Sequence, residues 1–350
     1  MDIHILISTR CFFLDTSGVK KTVIIPFPYL QITNKVDLRL KVFYTPEIIE
    51  QIGKIFAFGD SYRYDFGYFI GELTDYTEGD TDEILKGKVY LQLKSALKFF
   101  EEFLAYLWFA KDCCTCTNLA LGYIPNKIDT LFTFSSNRIA SMCDANYQDV
   151  YFSEEDVYHT ILIMDKIFEI CPKTPPDTEG VPEFDENNRF KSGILKAVKD
   201  HTDHHSLNRI QRALSLLSTL RGTSYLPYKV ALYIPIFESL FSGSPGELTF
   251  KVSERVAFYM GKDPEDRRRI FKDIGDAYNI RSRYLHGQAF DKKAKKTDLI
   301  ELSKKMDSLL RLVLTKIILE DSDKFLGEEI ETYLSDLVFQ ANTIIANPST

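Results

Sequence analysis

The sequence predicts an α+β protein, with a mixed, β-rich N-terminal domain followed by an all-α antiparallel helical bundle. Three observations predict it. Up to about residue 75 the chain carries short apolar and alternating runs of strand type. From Phe190 onward the apolar spacing is almost wholly helical, with short connections. Between the two, Pro172 to Asn188 holds four prolines, several acids and few apolar residues, a composition that interrupts packed structure. The expected division is a mixed domain over 1–171, a linker over 172–189, the helical domain over 190–342 and a tail over 343–350.

The elements follow in order. Ile3–Ile7 and Val23–Leu30 are apolar runs separated by the turn-prone Asp15-Thr16-Ser17-Gly18. Val36–Tyr44 alternates apolar and polar residues, as a half-buried strand does. Thr45-Pro46-Glu47 opens a short helix through Phe56, with proline in its first turn. Tyr64–Leu73 reads as a further strand and 76–83 as a polar loop. A strong helix covers about 89–111, with Leu93, Leu97, Phe100, Leu104 and Leu107 on one face. Short strand-like runs return over 119–152. Ser153-Glu154-Glu155-Asp156 then starts a helix to Ile170, its acids suited to the first turn. Helices are expected near 190–200, 206–221, 226–242, 247–260, 265–286, 297–320 and 325–342.

Composition narrows the function. The 350 residues favour two domains; 45% hydrophobic and 27% charged residues are globular values. A formal net charge of -7 argues against a protein that coats nucleic acid with its whole surface, but leaves room for a local basic groove. No apolar run has membrane-spanning length, and Met1-Asp2-Ile3-His4 does not begin a signal peptide. Cys11, Cys113, Cys114, Cys116, Cys143 and Cys171 are scattered in a large chain, which fits a reducing, cytoplasmic setting.

One stretch stands out, Arg281-Ser282-Arg283-Tyr284-Leu285-His286-Gly287. Ile270, Ile274, Ala277 and Tyr284 mark the inward face of its helix, and Arg281 falls on that face. A guanidinium there is costly unless it is paired or faces a wet cleft. Two more pieces precede it: Ile236-Phe237-Glu238-Ser239-Leu240-Phe241, and Glu247-Leu248 with Ser253-Glu254-Arg255-Val256-Ala257. In this order the three pieces resemble the HEPN superfamily, most closely its Apea-like branch, over roughly 190–342. Tyr278 to Gly287 matches that family's signature of an Arg, a polar residue, variable positions and a His. The resemblance implies a helical bundle that dimerises across the motif helices. In active members it implies metal-independent endoribonuclease activity. Other members only bind nucleotides or proteins. For bacterial relatives it implies a phage-defence or toxin-like role, with the N-terminal domain sensing a trigger.

The chemistry suits those residues. Attack of an RNA 2′-hydroxyl on the adjacent phosphate needs a base, an acid and positive charge on the phosphorane. Histidine serves the proton transfers and arginine the phosphate oxygens. No metal or cofactor is required. Arg281 and His286 are therefore the expected catalytic pair, with Glu238 holding Arg281 and Asn279 supporting; a purely structural ion pair of Arg281 with Glu238 or Glu254 is the plainer reading. Arg283, Arg267, Arg268, Lys292 and Lys293 are the candidates for holding RNA, although charge runs are more often solvated faces. Tyr278 and Tyr284 are candidates for base stacking, with packing the blander role. Five residues of helix turn through about 140°, so Arg281 and His286 share a face only if the last turn loosens. One chain supplies one motif histidine, and a homodimer supplies two. The helix-end position of His286 also has a plain explanation, since a helix C-terminus favours it. His201-Thr202-Asp203-His204-His205 has an i, i+4 histidine pair but no HExxH pattern and reads as a polar turn. Cys113-Cys114-Thr115-Cys116 lacks a distant partner for zinc.

Overall fold

The computed structural model describes residues 2–10, 12–14, 22–25, 30–33, 66–72, 77, 79–124, 128–134, 139–171, 207–243, 248–287 and 296–346. The strand expected at 36–44, the helix at 45–56, the linker at 172–189, the helix at 190–200 and the histidine cluster lie outside these residues. The chain divides into two compact units. One takes in the described residues up to Ile139 together with 148–162. The other takes in 140–147, 163–171 and the described residues from 207 onward.

The first unit carries a six-stranded antiparallel sheet. Its strands are β1 (Asp2–Arg10), β3 (Thr22–Ile25), β4 (Leu30–Thr33), β5 (Phe66–Glu72), β6 (Cys116–Ile124) and β7 (Ile128–Phe134), in spatial order β3-β4-β5-β1-β6-β7. β2 (Phe12–Leu14) pairs in parallel with β8 (Val150–Phe152). β1 runs between β5 and β6, with Ile5 opposite Phe69 on one side and Gly122 on the other. Ile5, Ile7 and Thr9 are all buried, the period of two that a strand imposes on one face.

Helix α1 (Asp82–Tyr106) covers that sheet. It begins well before the expected start at 89, because Thr81 accepts a hydrogen bond from the Ile84 amide and Asp82 and Glu83 occupy the first turn. Leu85, Val89, Leu93, Leu97, Phe100 and Leu104 form its buried stripe. The chain then tightens into a 3₁₀ turn over Leu107–Phe109, which buries Trp108. The described residues as a whole are mostly helical, with few strands. The expectation of a β-rich first half is not supported: the six-stranded sheet stands beside the 25-residue α1 and the 3₁₀ turn, so the described part of this unit is mixed.

The second unit is a helical bundle. α2 (Glu154–Ile170) enters it with its last part. The rest comprises α3 (Arg209–Arg221), α4 (Leu226–Phe241), α5 (Leu248–Met260), α6 (Pro264–Leu285), α7 (Lys296–Leu319), the short α8 (Ser322–Leu326) and α9 (Ile330–Ala346). These bounds fall within a few residues of the spacing-based ones, except that the last expected helix is broken at Gly327 into α8 and α9. α3 opens with a reciprocal capping box between Asn208 and Gln211.

α4 is the centre. It packs on α3, α6 and α7, and it is apolar around most of its circumference. Val230, Tyr233, Ile234, Ile236, Phe237, Leu240 and Phe241 are each fully buried. Pro235 lies inside it and removes one helical donor. Lys229 is also fully buried, and its ammonium donates to the carbonyls of Leu220 at 3.0 Å and Ser141 at 3.3 Å. Segment 140–147 is tied into this unit by that bond and by the Ser141 amide, which donates to the Arg221 carbonyl at 2.8 Å.

α8 is fixed by a buried polar hub. The Tyr259 hydroxyl donates to Asp321 at 2.8 Å and Lys324 donates to it at 2.6 Å. Lys316 lies 4.3 Å over the Tyr259 ring. Burial pushes the Asp321 carboxyl up, but the hydrogen bonds from Lys324 and Tyr259 outweigh it and hold the group below the ordinary value. Its contribution is therefore complete above the unfolded pKa of about 3.9 and is lost as pH falls through the lower folded value. Asp321→Asn is expected to cost about 1–3 kcal/mol at neutral pH. Urea titrations from pH 7 to pH 3 should show a shallower acid loss for the variant than for wild type.

Candidate functional site

Two antiparallel helices build the site. Tyr228 near the start of α4 meets Tyr284 near the end of α6, while Glu238 near the end of α4 meets Tyr278 and Arg281. α6 is positioned by its start and its stripe. Asp263 caps it by accepting from the Glu265 and Asp266 amides, Pro264 takes the first position, and Ile270, Ile274, Ala277 and Tyr278 are buried.

Arg281 lies where the spacing placed it, on the inward side of α6, with about a third of its side chain exposed. Its Nη1 is 3.4 Å from Glu238 Oε1, and the same oxygen accepts the Tyr278 hydroxyl at 3.1 Å. Of the two acids open as partners on sequence grounds, Glu238 and not Glu254 makes the pair. Tyr278 is buried, and its phenol is pushed above the ordinary tyrosine range by that burial and by the neighbouring Glu238 charge. Glu238 is thus anchored from below by a neutral donor and presents its charge to the guanidinium. The remaining Arg281 donors make no hydrogen bond among the described residues.

His286 caps α6. Its amide bonds to the Ser282 carbonyl at 3.0 Å, its φ of −88° and ψ of 7° lie in the bridge region, and its side chain is exposed. Gly287 follows with φ of 63°, the left-handed conformation that ends a helix and favours glycine. A Cβ at Gly287 would meet nothing within 4 Å, so backbone conformation alone accounts for the glycine.

α6 stays helical through Leu285, so the last turn does not loosen between Arg281 and His286. Within one chain they remain about 140° apart. Arg281 faces the bundle and His286 faces solvent. The neighbours of His286 on its own face are Arg283, three residues earlier, and Asn279, four residues before that. Both are exposed. Asn279 lies about 10 Å down the helix from His286, too far to touch the imidazole.

The arginines at the start of α6 stand apart. Arg267 donates to the Gly261 carbonyl at 3.3 Å and lies 4.8 Å over the Phe258 ring, so it braces the α5–α6 turn. Arg268 is exposed. Fourteen residues of helix separate Arg267 from Arg281, about 21 Å, so these arginines do not rim the same cleft in one chain. Lys292 and Lys293 lie outside the described residues.

Sequence spacing did not reveal two roles. Tyr278 orients Glu238, a role signalled only by its place four residues after Ile274 on the buried stripe. Tyr284 stacks on Tyr228 at 5.3 Å and lies 6.0 Å from Tyr225. The signal was a pair of tyrosines at i, i+3 opening α4.

Compared with protein-family models, curated proteins and solved structures, the chain matches none of them.

Glu238→Ala is expected to destabilise the protein by about 1–3 kcal/mol, because among the described residues the buried Tyr278 hydroxyl then keeps only the Leu248 carbonyl at 3.5 Å as an acceptor. Tyr278→Phe is expected to cost less, about 0.5–1.5 kcal/mol. Chemical denaturation of both variants measures the order, and an equal or reversed cost would refute the anchoring role of Glu238.

Proposed function

We propose that the protein is a metal-independent endoribonuclease of the HEPN type, cleaving RNA by 2′-hydroxyl attack at a site to which Arg281 and His286 contribute. The observation that carries this reading is the held arginine. Arg281 occupies a bundle-facing position where an apolar residue would stabilise the bundle, and Glu238 pairs with it at 3.4 Å. A paired, partly exposed guanidinium whose other donors make no hydrogen bond among the described residues suits charge that develops on a phosphorane. His286 is exposed and suits proton transfer. The order of motif residues, which resembles the Apea-like branch, supports the same reading.

The divergence of Arg281 and His286 on an intact helix favours a site completed by a second chain. In this reading a two-fold homodimer brings a His286 from one protomer towards an Arg281 from the other. Arg283 and Asn279 accompany His286 on the solvent face and contact RNA backbone. The N-terminal unit restrains or triggers the activity, in a defence or toxin-like role. The same divergence also suits a second reading, in which the bundle binds RNA, a nucleotide or a protein without cutting.

Wild type, incubated with mixed cellular RNA in EDTA, is expected to produce fragments ending in 2′,3′-cyclic phosphates. His286→Ala and Arg281→Ala should each slow cleavage by about 10²–10⁴-fold. A substrate with a 2′-deoxy sugar at the cleaved position should be inert. Equal RNA decay in all three proteins would remove the nuclease reading. Altered affinity without turnover in wild type would favour the binding reading.

The composite site has its own test. Mixing His286→Ala with Arg281→Ala protein, after subunit exchange, should restore a fraction of wild-type cleavage. A monomeric sedimentation profile, or no recovery on mixing, would place both groups in one chain.

A further inference from the structure

The inward side of α6 carries a second feature beside Arg281. Tyr284 is three residues further on, so the two side chains are neighbours on the helix surface. The Tyr284 ring stacks on Tyr228 at an interplanar angle of 28°, and Tyr225 leans on it at 52°. Tyr225 is the outermost ring, 56% exposed. It is the N-cap residue of α4, yet its side chain makes no cap hydrogen bond, so the cap does not account for the tyrosine. The cluster therefore joins three aromatic rings, one of them open, to a guanidinium whose other donors make no hydrogen bond among the described residues.

That combination matches one nucleotide of a flexible strand. A nucleobase offers a π-face to tyrosine and its phosphate offers paired oxygens to arginine. A duplex keeps its bases stacked on one another and cannot present them to Tyr225. We propose that Tyr225, Tyr228 and Tyr284, together with Arg281, form a subsite for one nucleotide of single-stranded RNA. The base packs against the Tyr225 ring and the phosphate sits on Arg281. This rests on the reading of the Arg281 region as an RNA-cleaving site and specifies its substrate as unpaired RNA. His286 of the same chain lies on another face of the helix, so in the proposed dimer the phosphate held on Arg281 is the one that His286 of the partner subunit reaches.

The test uses the full chain and a fluorescein-labelled, fully 2′-O-methylated oligonucleotide, which cannot undergo 2′-hydroxyl attack. Binding is read by fluorescence anisotropy and is thereby separated from turnover. Tyr225→Ala removes an exposed ring and no cap bond, and an unchanged melting temperature verifies its fold. It should weaken binding of the single strand by about 5- to 150-fold, the range for loss of one base–aromatic stack. Tyr225→Phe should keep wild-type affinity, because the ring and not the hydroxyl makes the contact. The same oligonucleotide annealed to its complement should bind more weakly than the single strand. Equal affinity of wild type and Tyr225→Ala overturns the subsite, as does preference for the duplex or an absence of binding by wild type. Cleavage of cellular RNA by wild type and His286→Ala is measured alongside. Cleavage without Tyr225 dependence removes only the subsite. Tyr225-dependent binding without cleavage upholds the subsite and removes only the nuclease reading.

Discussion

Burial of α4 constrains most of the helical unit. Its apolar residues cover nearly its full circumference, so each polar group it carries must find a partner inside the fold. Lys229 finds two carbonyls, Tyr233 finds Asp307 at 3.4 Å, and Glu238 finds Tyr278 and Arg281. These bonds fix segment 140–147, α7 and α6 against the central helix. An exposed helix would leave the same groups to water and would specify none of these neighbours.

The Glu238 oxygen illustrates how packing yields a chemical property. A carboxylate beside an arginine alone forms a mobile pair of modest value when water reaches it. Here a buried phenol holds the same oxygen from the core side, which reduces the orientations open to the carboxylate. The guanidinium inherits that restriction. Arg281 is therefore costly to fold and well placed to bind an anion, and those two facts have a common origin in its inward position. On the proposed reading, a protein of net charge -7 meets its anion through a few placed groups and not through a field over its surface.

The end of α6 separates two surfaces. Arg281 and the tyrosine cluster belong to the side that meets α4, while His286, Arg283 and Asn279 belong to solvent. An unbroken last turn keeps them apart. The helix ends by a left-handed Gly287, and this termination leaves His286 at the rim without redirecting it towards Arg281. Joining the two surfaces around one phosphate is then a matter for a second chain, which the proposed dimer provides.

Much of the helical unit was legible in sequence, because amphipathic spacing and capping are local. Ile270, Ile274 and Ala277 mark the inward face of α6 in the sequence itself. The misplaced charge at Arg281 was legible for the same reason. The β-rich reading of the first half is not supported: Thr81 and its acidic neighbours lengthen α1 by local capping, and which strands pair in its sheet depends on distant partners. Only the tertiary structure decided which acid meets Arg281. Glu238 and Glu254 lie on different helices, and the crossing of α4 with α6 selects the first. It also decided that Tyr278 supports that acid and that Tyr284 joins Tyr225 and Tyr228, because those contacts span 40 residues or more of chain. Local periodicity assigns a residue to a face. Which residue stands opposite depends on how helices distant in sequence pack together.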